Sequence, residues 1–410
     1  MSSIKSVYAD GLCMGCGICA GMCLSNAITM VVDQKQGVYR PVIDSNKCTG
    51  CGYCYKICPG HSVDFEELNK FSTGQEPQSS ILGSYLGCFN GCSMDNKLCY
   101  VSSSGGLVTQ LLICALEKGI IDGALVTSAD KDNPLRPRSF IARTKKEMIS
   151  AAGAKYCPVP VNVMLKEIRN AQPGLKFAVV GLPCQIQGIR KAELINEELK
   201  KKIVLHLGIF CTHGINFRGT RAALKRMGIK EKQVESLRYR FGDFPPGKTL
   251  IKFNGVEKVV DHLEFWNLLL TRRVNAIPDR CRLCIDQTAE LADISVGSGW
   301  FAYKANKQIN RSVGLIRNTV GKTFMQQISS ANRIDVLPAN PEALELFEEK
   351  HRGDKKRRYR YLLLFLKLSG RKYPDYHSRF LKSKIKFDFK MSIEALKNYL
   401  RLFLFRKKHA

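Results

Sequence analysis

The sequence predicts a small α+β domain built on a cysteine repeat, then an α/β core, then a basic helical C-terminal segment. Three observations carry this reading. Cys13-x2-Cys16-x2-Cys19-x3-Cys23 recurs as Cys48-x2-Cys51-x2-Cys54-x3-Cys58. From residue 81 to residue 347, short apolar runs ending at Gly, Pro or Cys alternate with stretches of helical periodicity. Residues 351–410 then hold 19 Lys/Arg against 4 Asp/Glu, an excess of +15 within a whole-chain charge of +28.

Composition sets the class. With 410 residues, 45% hydrophobic and 24% charged, the chain is globular and long enough for two or three packed domains. Its 17 cysteines, about 4% of the residues, fall short of a disulfide scaffold. No apolar run approaches the ~20 residues of a membrane-spanning helix, and residues 1–10 lack the basic-then-apolar pattern of a secretion signal. A cytoplasmic protein is expected, in which clustered cysteines read as metal ligands. The positive charge reads as a property of the tail, not of the core. Such a tail could meet an acidic partner, the inner face of a membrane as a peripheral contact, or nucleic acid, the last being the least favoured.

The two cysteine runs have the spacing of bacterial two-cluster ferredoxins. Three closely spaced thiolates wrap one cubane while the fourth points to the other. On that crossed scheme Cys13, Cys16, Cys19 and Cys58 hold one 4Fe-4S cluster, and Cys48, Cys51, Cys54 and Cys23 hold the second. Gly15, Gly17, Gly50 and Gly52 leave backbone amides free to approach the sulfurs. Zinc knuckles are the alternative, which eight cysteines at this spacing disfavour. Between the runs, residues 27–32 and 38–43 read as a hairpin around Gly37, and the polar stretch 71–80 reads as a linker. This ferredoxin-like iron–sulfur domain is expected over residues 1–75.

In the core, residues 107–117 form an apolar helical stretch that leads through Gly119 into a strand pattern at 123–127. Further strands are expected at 177–180 and 203–210, with helices at 161–170 and 220–227. Residues 248–253, Asn254-Gly255 and 256–260 read as a β-hairpin with an Asn-Gly turn. The core is expected to divide into an N-terminal part, 80–157, and a C-terminal part, 158–347.

Nine cysteines remain outside the repeat. Cys281-x2-Cys284 is a chelating pair that needs two more ligands, and Cys184 and Cys211, each at the end of a strand pattern, are the candidates. Spacing alone leaves this site undecided and leaves zinc open as its metal. Cys88, Cys92 and Cys99 read as non-ligands, Cys114 as a helix-core thiol and Cys157 as incidental. The run Gly242-Asp-Phe-Pro-Pro-Gly247-Lys248-Thr249 matches a phosphate-binding loop in letters only, because two prolines remove amides and a hairpin follows where a helix is needed. Gly15-Cys-Gly17-Ile-Cys-Ala20 mimics a dinucleotide fingerprint with cysteines already assigned. Ser102-Ser103-Ser104-Gly105-Gly106, directly before the 107–117 helix, is a better anion site; a plain Ser N-cap is the alternative.

The tail, residues 348–410, ends in an amphipathic pattern. Ile393, Leu396, Leu400, Phe403 and Leu404 recur at helical spacing, Glu394, Lys397 and Arg401 lie elsewhere around the wheel, and Arg406, Lys407 and Lys408 follow. Such a helix lies on a membrane or docks on a partner; a core-packing terminal helix is the alternative.

Taken together, these segments resemble the beta subunit of coenzyme F420 hydrogenases and dehydrogenases, in the form with an N-terminal two-cluster ferredoxin. The resemblance rests on Leu82-Gly-Ser-Tyr-Leu86, residues 102–106, Gly153-Ala-Lys-Tyr156, Val179-Val-Gly-Leu-Pro-Cys-Gln185, Gly208-Ile-Phe-Cys211, Cys281-Arg-Leu-Cys-Ile-Asp286 and residues 290–298. Their shared order is more specific than any one piece. It implies a flavin-binding core that holds FAD, with Ser103, Ser104, Gly105 and Gly106 near the flavin and Lys155 and Tyr156 as further contacts. It also implies a third 4Fe-4S cluster on Cys184, Cys211, Cys281 and Cys284. Many relatives exchange a hydride between the flavin and coenzyme F420, so that coenzyme is the expected substrate. The tail and Cys88, Cys92 and Cys99 lie outside the resemblance.

Electron counting completes the expectation. A deazaflavin transfers two electrons as a hydride, a cubane accepts one, and a flavin converts between them. The expected function is a flavin- and iron–sulfur-dependent oxidoreductase passing electrons between a hydride carrier and a redox partner protein or complex subunit. A non-catalytic relay subunit of a larger hydrogenase or dehydrogenase complex is the alternative. No Ser/His/Asp or paired-carboxylate constellation suggests hydrolysis, and Asp286 and Asp293, near the chelating pair, read as structural groups or as supports of the ligands rather than as acid–base groups.

Overall fold

The structure, a computed structural model, describes residues 3–271, 274–306, 310–382 and 389–407. In the N-terminal domain, β1 (Ile28–Asp33) and β2 (Val38–Ile43) pair antiparallel from Ile28↔Ile43 to Asp33↔Val38. Gly37 turns between them at φ +68°, and a Cβ there would lie 3.0 Å from the Arg218 side chain, so both conformation and space require glycine. Each cysteine run leads into a one-turn helix, Ile18–Gly21 or Tyr53–Lys56. After β3 (Ser62–Asp64), Asp64 accepts hydrogen bonds from the amides of Glu66 and Glu67 and caps the helix Phe65–Thr73. The linker therefore begins later than residue 71. The cap and the buried Phe65 and Leu68 carry the helix through Thr73, and Gly74 ends it in the left-handed conformation.

The core strands follow in chain order: β4 (Gly87–Ser93), β5 (Gly123–Ser128), β6 (Arg138–Ala142), β7 (Phe177–Gly181) and β8 (Ile203–Ile209). β9 (Val234–Phe241), β10 (Lys248–Phe253) and β11 (Val256–Asp261) leave the main sheet for a side lobe. β12 (Ile294–Ser298), β13 (Ser312–Ile316) and β14 (Ile334–Pro338) return to it. The main sheet has eight strands in the order β14-β4-β13-β12-β8-β7-β5-β6. Its centre, β12, β8, β7 and β5, is parallel, and antiparallel strands flank it. Central parallel strands are covered on both faces, which is why β7 reads as an unbroken apolar run and β8 as one broken only by His206. Both expected parts of the core belong to this sheet, since β5 pairs with β7 and β4 lies between β13 and β14. The expected 107–117 helix forms as Leu107–Glu117. The Asn-Gly hairpin forms with Asn254 at φ +48° and Gly255 at φ +73°, so the run from Gly242 enters a strand and not a phosphate-binding helix.

The tail departs from the sequence reading. Its charge does not mark an appendage. Tyr359, Leu362 and Leu366 of helix Lys355–Leu368 are buried in one core with Ile18 and Ile57 of the cysteine-repeat domain and Phe177 and Val179 of β7. The spacing of these three residues is helical, but the surrounding Lys and Arg mask it in sequence. β15 (Asp375–His377) adds parallel to β3, with Asp375 opposite Ser62. The last helix, Phe389–Lys407, packs on Lys355–Leu368: Phe365 and Tyr399 stack with centroids 5.8 Å apart, and Arg371 Nη1 donates to Leu402 O at 3.0 Å. Ala395 and Leu402 turn inward while Leu396 and Leu400 stay exposed. Lys408 and the side chains of Phe403, Leu404, Arg406 and Lys407 lie outside the described residues. Among the described residues no helix is long and apolar enough to cross a membrane.

Candidate functional site

None of the 17 cysteines is joined in a disulfide. Those of the repeat sort in the crossed way: Cys58 lies near enough to Cys13, Cys16 and Cys19 to raise their pKa values, whereas Cys23, Cys51 and Cys48 raise that of Cys54. Local backbone explains the sorting. Gly17 and Gly52, at φ +85° and +71°, open the two short helices, and amides turn toward sulfur, Gly15 N to Cys13 Sγ at 3.4 Å and Gly60 N to Cys58 Sγ at 3.3 Å. Burial pushes the Cys13 thiol up to about 12 and raises Cys16, Cys19 and Cys58 as well. Without metal these thiols are neutral; a bound metal takes the place of the proton. The second group differs, because Cys48 and Cys51 are exposed to solvent.

The other four candidates also come together. Cys184 lies in the first turn of helix Pro183–Glu193, Cys211 follows β8, and Cys281 and Cys284 sit in and just after the short helix Asp279–Arg282. Burial, then Cys16, Cys211, Cys281 and Cys284, push the Cys184 thiol well above its usual range. Burial pushes Cys211 up to about 12 against the opposing charge of Lys355. Gly214 N donates to Cys281 Sγ at 3.4 Å. Cys184 thus touches on both its own quartet and the first group of the repeat. Cys19 and Cys54 link the first group to the second in the same way.

Two buried cations flank this quartet. Arg280 donates from Nε to Gly60 O at 3.0 Å and from Nη2 to Pro59 O at 3.2 Å, and its Nη1 has no hydrogen-bond partner among the described residues. Lys355 Nζ donates to Cys211 O at 2.8 Å and to Asp286 O at 3.1 Å. Among the described residues neither is paired with a carboxylate, and buried cations need an anion nearby. Neutral thiols do not provide one; metal-bound thiolates do. Among the described residues no three His, Cys, Asp or Glu side chains are gathered as ligands of a single metal ion would be.

A cavity of about 720 Å³ lies against the quartet, within the ~300–1,000 Å³ of ligand pockets. Its wall brings together Ser103, Ser104, Gly106, Lys155 and Tyr156 with Cys211. Gly105 does not line it. A Cβ at Gly105 would lie 2.6 Å from Asn310 O and 2.8 Å from Cys92 Cβ, so packing alone demands that glycine. The loop hydroxyls are braces: Ser103 Oγ accepts from the Ala154 amide, and Ser104 Oγ donates to Arg311 O at 2.7 Å and accepts from Gly299 N at 3.2 Å. Lys155 Nζ caps three carbonyls, Ala151 O at 2.6 Å, Gly153 O at 2.9 Å and Ala152 O at 3.1 Å, and burial pushes its pKa down to about 7. The Tyr156 ring meets Trp266 edge-on at 5.0 Å and Tyr239 at 5.6 Å.

Among the described residues the cavity wall contains Lys155, Arg240, Lys304 and Arg352 and no Asp or Glu. Arg240 Nε and Ser102 Oγ are buried on that wall without a partner among the described residues. Such a chamber suits a polyanion with a flat apolar portion. Sequence reasoning missed Arg240, Lys304, Arg352 and Trp266, and treated Cys157 as incidental although it lines the cavity. Arg240 carried one usable signal, a charged residue between Tyr239 and Phe241 on a strand, all three buried.

Asp286 and Asp293 are structural, as expected. Asp286 Oδ1 accepts from the Thr288 and Glu290 amides at 3.1 and 3.3 Å, and Asp293 accepts from Arg190 Nη2 and Asn318 Nδ2, both at 2.7 Å. Cys99 donates to Ser93 O at 3.2 Å, and Cys88 and Cys92 lie on β4, apart from the quartet.

Family models described as Coenzyme F420 hydrogenase/dehydrogenase, beta subunit, match the chain at residues 88–166 (N-term) and 174–342 (C terminus), and a 4Fe-4S dicluster domain model matches residues 12–62. The chain is 31% identical over 266 residues to coenzyme F420 hydrogenase subunit beta of Methanococcus voltae, covering 62% of this chain and 84% of that protein. It is 28% identical over 267 residues to the subunit of the same name from Methanothermobacter thermautotrophicus, covering 63% and 86%. With the coenzyme F420-dependent sulfite reductase of Methanocaldococcus jannaschii it shares 29% identity over 309 residues, 72% of this chain but 43% of that protein, so it spans less than half of that relative. A chain from a solved structure of the F420-reducing NiFe hydrogenase complex of Methanosarcina barkeri shares the fold, with a TM-score of 0.54 and 23% identity over 70% of this chain and 96% of that one.

Proposed function

Because the chain belongs to the coenzyme F420 hydrogenase/dehydrogenase beta-subunit family and carries a 4Fe-4S dicluster domain, we propose that it passes electrons between a hydride carrier in the acid-free cavity and a one-electron partner protein. The observation that carries this reading is continuity. The cavity wall includes Cys211, the quartet of Cys211 adjoins Cys16 through Cys184, and Cys19 adjoins Cys54, whose group ends at the exposed Cys48 and Cys51.

On this reading Cys184, Cys211, Cys281 and Cys284 hold one 4Fe-4S cluster, Cys13, Cys16, Cys19 and Cys58 a second, and Cys23, Cys48, Cys51 and Cys54 a third. FAD fits the cavity: its volume, its acid-free wall and the partnerless Arg240 Nε and Ser102 Oγ all suit a diphosphate-bearing ligand. When bound, the flavin supplies the exchange between two-electron and one-electron chemistry that the amino-acid side chains lack. The chain's own part is to bind and orient. Arg240 and Lys155 offer charge to the anionic portion, Tyr156 and Trp266 offer apolar surface, and Ser103 and Ser104 hold the 102–106 turn to its neighbours. Coenzyme F420, named in the relatives, carries a phosphate and acidic residues, and the cationic wall supports it as the hydride carrier. A second reading, a relay without its own small-molecule chemistry inside a larger complex, draws support from the exposed Cys48–Cys51 edge.

Iron, sulfide and flavin measured per chain under strict anoxia test the assignment, which requires about 12 Fe and one FAD. Reduced coenzyme F420 should bleach the flavin of the isolated chain. Bleaching by another hydride donor but not by coenzyme F420 rules out that substrate, and bleaching by none favours the relay.

A further inference from the structure

The segment that begins at Lys355 lies beyond the region the family models match, yet it reaches the core quartet. Lys355 is only 3% exposed. Its Nζ donates to the carbonyl of Cys211, a member of the quartet, and to that of Asp286, the same oxygen that Cys284 Sγ meets at 3.3 Å. The Lys355 charge acts on Cys211 and Cys281, that of Arg352 on Cys211, and that of Arg358 on Cys284, although Glu394 and Asp354 also face Arg358. Arg352 pairs with Glu348 at 3.3 Å, whereas Lys355, whose charge also acts on Glu348, has only carbonyl hydrogen-bond partners among the described residues. The other side of the segment is anchored. Tyr359 donates to Pro374 O at 2.6 Å, β15 pairs with β3 just after Cys58, and the Tyr376 ring lies 5.4 Å from the Arg280 guanidinium.

We propose that this C-terminal segment is a working part of the electron path, and that Lys355, with Arg358, raises the reduction potential of the cluster held by Cys184, Cys211, Cys281 and Cys284. The inference rests on the quartet being an iron–sulfur site. One-electron reduction adds a unit negative charge to a buried group, and a fixed cation in a low-dielectric setting stabilises the reduced form more than the oxidised one. The electron enters from the carrier in the cavity, which is oxidised, and leaves to the first group of the repeat. No proton or bond changes hands at Lys355. A lysine that only glued the helix down would leave the potential where it was.

The test is an anaerobic redox titration of the full holo-protein followed by electron paramagnetic resonance, with Cys184→Ala marking the core signal. Lys355→Met should move the core midpoint negative by at least a tenfold change in the reduced-to-oxidised ratio, 59 mV for one electron. The other two midpoints should stay in place, and Lys355→Arg should restore the wild-type value. Arg358→Gln should shift the core midpoint in the same direction. A core midpoint unmoved in Lys355→Met overturns the proposal. So does loss of the core cluster in Lys355→Met combined with an unmoved midpoint in Arg358→Gln. A wild-type chain with about 8 Fe and no third signal overturns the assignment of the quartet itself, and the inference with it.

Discussion

Arg240 lies buried on the cavity wall with its guanidinium carbon 4.3 Å from the Phe244 ring centroid, and burial lowers its pKa. A desolvated cation with an unpartnered Nε weakens the empty protein and favours an anionic ligand. Arg240→Met should therefore cost FAD affinity tenfold or more, in line with the ~1.5–3 kcal/mol of a charged hydrogen bond. The melting temperature of the flavin-free chain should not fall. Titration of flavin into the apo-protein and calorimetry check the two signs. Lys155 gives a second test. Its folded pKa of about 7 lies below its unfolded value of about 10.4, so the fold disfavours its charged form. Apo stability should rise as pH climbs from about 7 toward 10, and Lys155→Met should flatten that rise. A polyanion raises the pKa, so FAD binding at pH 8 should take up protons, measurable as a buffer-dependent binding enthalpy. Of the six flavin contacts expected by resemblance, five line the cavity, and Gly105 answers to packing, which only the placement of Asn310 and Cys92 reveals.

At the scale of elements, β8 carries His206 into the interior between Glu193 Oε1 at 2.7 Å and Asp293 Oδ2 at 3.0 Å. Burial and Arg190 oppose its charge, but Glu193 and Asp293 outweigh them and raise its pKa. A raised folded pKa gives stability that is complete below the unfolded value of about 6.5 and fades as pH rises through the folded value. Measured in the Lys155→Met background, which removes the opposing trend, urea unfolding should show stability falling as pH rises above about 6.5, and adding His206→Phe should abolish that fall while destabilising the chain by about 3–5 kcal/mol, because Glu193 and Asp293 lose a buried partner. The strand was legible as an apolar run, but helix Pro183–Glu193 and its charged partners were not foreseen, because nothing local states that β12 pairs beside β8 and delivers Asp293. The 71–80 linker failed for a similar reason, since the Asp64 cap and the buried face of Phe65 and Leu68 outrank the polar composition after residue 71.

For the whole molecule, the cysteine repeat, the strand–helix alternation and the hairpins were all local patterns and all formed. What the sequence hid was that the cysteine-repeat domain, one face of the main sheet and the tail helix Lys355–Leu368 share a single core. Shared burial of Ile57, Val179 and Leu362 has no local signature. Deleting residues 351–410 should therefore lower thermal stability and speed the bleaching of the core cluster in air, outcomes that differential scanning fluorimetry and the visible spectrum report. On the proposed path every electron passes from the cavity through the Cys184 quartet to the exposed Cys48 and Cys51. Rapid mixing of reduced coenzyme F420 with the anaerobic Cys184→Ala chain, freezing and reading both flavin and cluster signals, tests that path most directly. The flavin should be reduced while the two clusters of the repeat stay oxidised. Reduction of those clusters at the wild-type rate would contradict it.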